Sequence, residues 1–124
     1  MSRKGLYLVA VVAIVALFGA PTRAAAQTIT LSAEQAAGGV KKVYGHGVYS
    51  VGANTYDKIE MVVTTFLGVV VSKTPGTPSV PWTWGSISDP LAVGNYKVRA
   101  YLHTMDACGN PVVTFSNEVV VQIQ

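Results

Sequence analysis

Cysteine occurs once in this chain, at Cys108, so no intramolecular disulfide can staple the fold. No apolar run reaches the roughly 20 residues that span a bilayer comfortably. The stretch from Gly5 to Ala20 has 16. There is no twin-arginine pair and no cysteine near residues 24–27 to take a lipid. Charge is sparse too, with Asp, Glu, Lys and Arg making up 12% of the chain. The formal net charge of +3 is misleading, because three of the nine basic residues, Arg3, Lys4 and Arg23, belong to the N-terminal leader described next. Without them six bases face six acids, and the attraction to nucleic acid or anionic lipid that a basic chain would imply disappears.

The first 26 residues have the pattern of a signal peptide. Arg3 and Lys4 form a positive n-region, Leu6 to Phe18 an apolar h-region, and Ala24-Ala25-Ala26 a small-residue cleavage site. The expected mature chain is a single domain of 98 residues, 27–124, exported to the periplasm or secreted, with no stable membrane insertion after cleavage.

Strand patterning fills that domain. Thr28 to Leu31 suits a short first strand, and Ser32 to Ala37 reads as a connection or single packed turn, stopped by Gly38-Gly39. Val40 to Ser50 alternates, with Val43, Gly45, Gly47 and Tyr49 on one side; glycines inside a strand signal close approach of another backbone or a bulge. Ile59, Met61 and Val63 form an inward row between Lys58 and Thr65. Phe66-Leu67-Gly68 is the expected hairpin tip before Val69-Val70-Val71. That tip is unusual, since it sets two large apolar side chains where turns carry Asn-Gly or Asp-Gly. Thr74 to Pro81 holds three of the six prolines and is expected to cross the surface outside any sheet.

Leu91 to Leu102 organises the rest. From Tyr96 the chain alternates strictly, with Tyr96, Val98, Ala100 and Leu102 inward and Lys97, Arg99, Tyr101 and His103 outward as a basic row that Lys58 and Glu60 could meet across the sheet. Tyr96 is placed to bury its ring while its hydroxyl reaches back to the preceding loop, the logic of a tyrosine corner. The last hairpin turns at Met105 to Pro111, and Val119, Val121 and Ile123 run inward in the final strand. Val113 and Phe115 are expected to share that role, with a bulge near Ser116-Asn117.

About seven short strands, regular turns and the corner tyrosine specify an all-β, seven-stranded antiparallel sandwich. Residues 40–124 also resemble the immunoglobulin-like (Ig-like, or fibronectin III-like) domains of exported bacterial proteins. The resemblance rests on Trp84, on Leu91-x-x-Gly94-x-Tyr96-x-Val98-x-Ala100, on Asp106-x-x-Gly109-Asn110 and on the valine-rich last strand. It implies the fold and no particular ligand. The disulfide-pinned antibody subtype is excluded, because Val98 stands where that subtype has cysteine and residues 59–63 contain no tryptophan.

Three functions fit this pattern. A non-catalytic module binding another protein would use the exposed tip, Phe66 and Leu67. A carbohydrate-binding module would use Trp82 and Trp84, two apart and hence on one face of a strand. A small metal protein or enzyme would need His103, Asp106 and Cys108 to converge at the last hairpin; a tetrahedral zinc site lacks a fourth ligand there, and no orienting group or oxyanion hole is recognisable. The expectation is the first, with no catalytic residue, metal or cofactor and no nucleic-acid partner. Cys108 is either a small packing residue or a thiol available for a disulfide to a second chain.

Overall fold

The computed structural model describes residues 26–124. The expected signal segment therefore lies outside the described residues, apart from its last alanine. Among the described residues no helix is long and apolar enough to cross a membrane.

The chain forms β1 (Thr28–Ile29), β2 (Ser32–Gln35), a short 3-10 turn (Ala37–Gly39), β3 (Val43–Ser50), β4 (Thr55–Thr65), β5 (Val70–Ser79), β6 (Thr83–Ile87), β7 (Gly94–Met105), β8 (Pro111–Phe115) and β9 (Val119–Ile123). All pairings are antiparallel. These nine segments amount to seven strands. β1 and β2 keep one register along β3, from Thr28↔Ser50 to Gln35↔Val43, and so form a single strand interrupted at Thr30-Leu31. β8 and β9 likewise follow each other along β7, but their register moves by one residue between Tyr101↔Phe115 and Val98↔Val119. That step is the bulge expected near Ser116-Asn117.

The sandwich has two layers hinged at β5. One layer orders β1/β2, β3, β6 and the end of β5; the other orders the start of β5, β4, β7 and β8/β9. β5 passes from one to the other between Gly76, opposite Ile59 of β4, and Thr77, opposite Gly85 of β6. The proline-rich run is thus part of a strand, contrary to the sequence expectation. The reason is that β5 is paired on one side only in each layer, and a proline whose missing N–H faces an open edge forfeits no ladder bond. Ser32–Gln35, read as a connection, is also a strand, because pairing with β3 outweighs a helix-friendly composition too short to form a helix alone.

Alternation along each strand feeds one core. Ile29, Leu31, Val43, Tyr49 and Trp84 from the first layer meet Ile59, Met61, Val63, Val98, Ala100, Leu102, Val121 and Ile123 from the second. The glycines of β3 mark close approaches: a Cβ at Gly47 would collide with the Thr30 carbonyl, and one at Gly45 with the Met61 sulfur. Tyr96 is buried and donates its hydroxyl to the Ala92 carbonyl at 2.7 Å, which fastens the β6–β7 loop to the start of β7. Trp84, also buried, donates Nε1–H to the Thr30 carbonyl at 3.0 Å across the interruption between β1 and β2.

Val113 and Phe115 depart from their expected inward role. Both are exposed, while Val121 and Ile123 beyond the bulge are buried. A one-residue register step sends the side chains on its two sides to opposite faces, so the two halves of the strand cannot share one phase.

Candidate functional site

The β4–β5 hairpin ends in Phe66-Leu67-Gly68-Val69. Gly68 takes a left-handed φ of 88°, its N–H donates to the Thr65 carbonyl at 2.9 Å, and the Thr65 N–H donates to the Val69 carbonyl at 2.9 Å. The Thr65 hydroxyl also accepts the Val69 N–H, at 3.2 Å. The turn is therefore closed by main chain, one hydroxyl and one glycine, leaving Phe66 and Leu67 free of any role in closing it. Leu67 is 93% exposed and Phe66 53%. Among the described residues no loop folds over them.

The apolar surface continues along β5. A register shift at Val63/Thr64 leaves Val71 as an extra residue on β5, between Ser72 opposite Val63 and Val70 opposite Thr64. The bulge breaks the alternation there, and Val69, Val70 and Val71 are all exposed. Lys97 of β7 sets its ammonium 5.3 Å from the Phe66 ring centroid, a cation–π contact that adds a charge to the rim of this patch.

Next to the tip lies the outer face of the second layer. A shallow groove of about 200 Å³ runs among Val62, Thr64, Lys97, Arg99, Tyr101 and Glu118. Arg99 lies 3.3 Å from the Glu118 carboxylate and 4.9 Å above the Phe115 ring. Further along, His103 Nε2 sits 2.9 Å from Glu60 Oε1, and Lys58 is 3.9 Å from the other carboxylate oxygen. Within the basic row Arg99 and His103 are thus answered by the Glu118 and Glu60 carboxylates, whereas Lys97 faces the Phe66 ring.

The remaining candidates do not come together. Trp84 is 2% exposed in the core, whereas Trp82 is 58% exposed, so the two indoles share no platform. The cause is local. Trp82 precedes β6 with a φ of 130°, which breaks the strand geometry that would put positions 82 and 84 on one face. Its ring packs edge-on against Tyr49 at 5.5 Å, and Tyr49 in turn lies 5.8 Å from Tyr56. Burial pushes the Tyr56 phenol above its ordinary pKa, with Tyr49 and Asp57 adding to the rise.

At the last hairpin, Asp106 Oδ1 accepts the N–H groups of Cys108 and Asn110, both at 2.9 Å, and so caps its own turn. His103 is engaged by Glu60 instead. Cys108 is exposed on the loop. No group of three or more His, Cys, Asp or Glu residues placed to hold a metal occurs among the described residues.

Sequence reasoning missed the exposed Phe115 and Val113, and with them the Tyr101–Phe115 ring contact at 6.3 Å. It also missed the stack of Tyr44 on His46, with ring centroids 5.0 Å apart, although their two-residue spacing in an alternating strand was the available signal.

No protein-family model matches the chain, and no curated protein matches it. Among solved structures a similar one is CopC from Methylosinus trichosporium OB3b. It is 19% identical, the match covers 77% of this chain and 94% of that one, and the TM-score is 0.42.

Proposed function

We propose that this chain is a non-catalytic, exported Ig-like module, periplasmic or secreted, that docks another protein through the tip of its β4–β5 hairpin. Strand order supports the Ig-like part. β1/β2, β3, β6 and the end of β5 stand in the A-B-E-D order of an Ig sheet, and β4, β7 and β8/β9 in the C-F-G order of its partner. The Tyr96 hydroxyl bond to Ala92 supplies the corner at the start of the F-equivalent strand.

The observation that carries the docking role is the exposure of Leu67 beside Phe66 in a turn that does not use either side chain. Folding gains nothing from leaving them in water. Burying the nearly fully exposed Leu67 against a partner is worth about 1.5–3 kcal/mol, the contribution expected of an anchor at the centre of an interface, with a smaller gain from half-exposed Phe66. Against catalysis stands the separation of His103, held by Glu60, from Asp106, whose carboxylate caps its own turn by accepting the main-chain N–H groups of Cys108 and Asn110.

The test compares native complexes from cells making the full chain with those from cells making the Phe66→Ser/Leu67→Ser variant. The expected result is a larger assembly that the double substitution reduces to the free protein while the melting curve is unchanged. The same elution for both proteins would refute the reading.

A further inference from the structure

Among the described residues, the open edges at β5 and at β2 and β9 carry devices that hinder pairing with another chain. β5 has Pro75, Pro78 and Lys73, and Asp89 is bonded to Ser72 both through its N–H at 3.0 Å and through its carboxylate at 3.1 Å. β2 and β9 close on each other: the Gln124 N–H donates to Gln35 Oε1 at 3.0 Å, and Gln35 Nε2 donates to the Gln124 carbonyl at 3.3 Å. β8 differs. Its five residues, Pro-Val-Val-Thr-Phe, contain no charge, and no main-chain bond beyond its pairing with β7 involves them among the described residues.

The direction of its free groups follows from its ends. The Asp106 N–H donates to the Asn110 carbonyl and the Ser116 N–H to the Ala100 carbonyl, each at 2.9 Å and in the register of β7 with β8. Bonded pairs alternate in an antiparallel ladder, so Val112 and Thr114 face β7 while Pro111, Val113 and Phe115 turn their main-chain groups to the open edge. Those same positions carry exposed apolar side chains.

We infer that β8 is the pairing edge for a second copy of this chain, the two strands meeting antiparallel about a two-fold axis through Val113. The strand is complementary to itself in that arrangement. Val113 exchanges both main-chain bonds with its twin, and Phe115 donates to the carbonyl of Pro111 in the other copy. The missing N–H of Pro111 forgoes only the reciprocal bond. No like charges meet between positions 111 and 115, and Phe115 rests beside the ring of Pro111 from the other copy. Pairing joins the two second layers into one continuous sheet, using a surface separate from the Phe66–Leu67 tip. An edge this short buries less than the roughly 1,200 Å² of a stable complex, so the dimer dissociates on dilution.

Sedimentation equilibrium on protein purified from cells expressing the full chain tests this, from about 10 µM to about 1 mM. The expected result is a mass rising from monomer toward dimer. Val113→Lys, which opposes two cations at the dyad, should weaken association at least tenfold, whereas Val113→Thr, which keeps a β-branched side chain and the main chain, should retain it. Hydrogen exchange at the Val113 and Phe115 amides should slow as concentration rises. A monomer throughout the range overturns the inference. So does a dimer that Val113→Lys leaves intact, or one that Leu67→Ser abolishes.

Discussion

Asn117 holds both main-chain groups of Leu31: the Leu31 N–H donates to its Oδ1 at 3.1 Å, and its Nδ2 donates to the Leu31 carbonyl at 2.9 Å. One amide therefore joins the interruption of the first strand to the bulge of the last and closes the two layers at that edge. Asn117→Ala should destabilise the fold by about 2 kcal/mol, because it leaves two partly buried main-chain groups unmatched. A lower urea midpoint with an unchanged slope is the expected readout.

The tyrosine corner gives a narrower test. Tyr96→Phe keeps the ring and removes only the 2.7 Å bond to Ala92. A loss of about 1 kcal/mol is expected, measured in the same denaturant series.

The β3 and β6 glycines offer a contrast within one sheet. At Gly47 an added methyl meets the Thr30 carbonyl, which is main chain and cannot move aside, so Gly47→Ala should cost ~3 kcal/mol. At Gly85 the nearest atom to an added Cβ is 3.8 Å away, so Gly85→Ala should change stability by less than ~1 kcal/mol and can be stabilising. Thermal melts of the two variants distinguish a steric requirement from a mere composition effect.

Tyr56 sets a limit on the alkaline side. Its phenol is held above the ordinary value of 10.0 by burial first and by Tyr49 second. A group whose folded pKa is raised keeps its full contribution below the unfolded value and loses it as pH climbs through the folded one. Stability should therefore fall from about pH 10 upward, and Tyr56→Phe should flatten part of that fall. Unfolding midpoints at pH 8 to 11 check this.

Much of this architecture is legible from period and spacing. Alternation from Tyr96 to Leu102 marks the central strand, Gly45 and Gly47 mark the close approach of Thr30 and Met61, and the phase conflict between Val113 and Val119 marks the bulge. The misreadings share a cause: each depends on which neighbour a residue has. Pro75 and Pro78 stand in a strand because β5 is an edge in both layers, a fact of topology that composition cannot carry. Trp82 leaves the face of Trp84 because its φ of 130° breaks the strand that spacing assumes. The hairpin tip was readable because two large apolar residues in a tight turn are anomalous on local grounds alone.

The proposed docking role puts Phe66 and Leu67 against another protein in the cell. Replacing Leu67 with a photo-crosslinking amino acid, and exposed Val48 on the first layer as control, tests it directly. One discrete adduct is expected from position 67, none from position 48, and loss of that adduct on Phe66→Ser. A folded protein that yields no adduct at 67, or the same adducts from both positions, would contradict it.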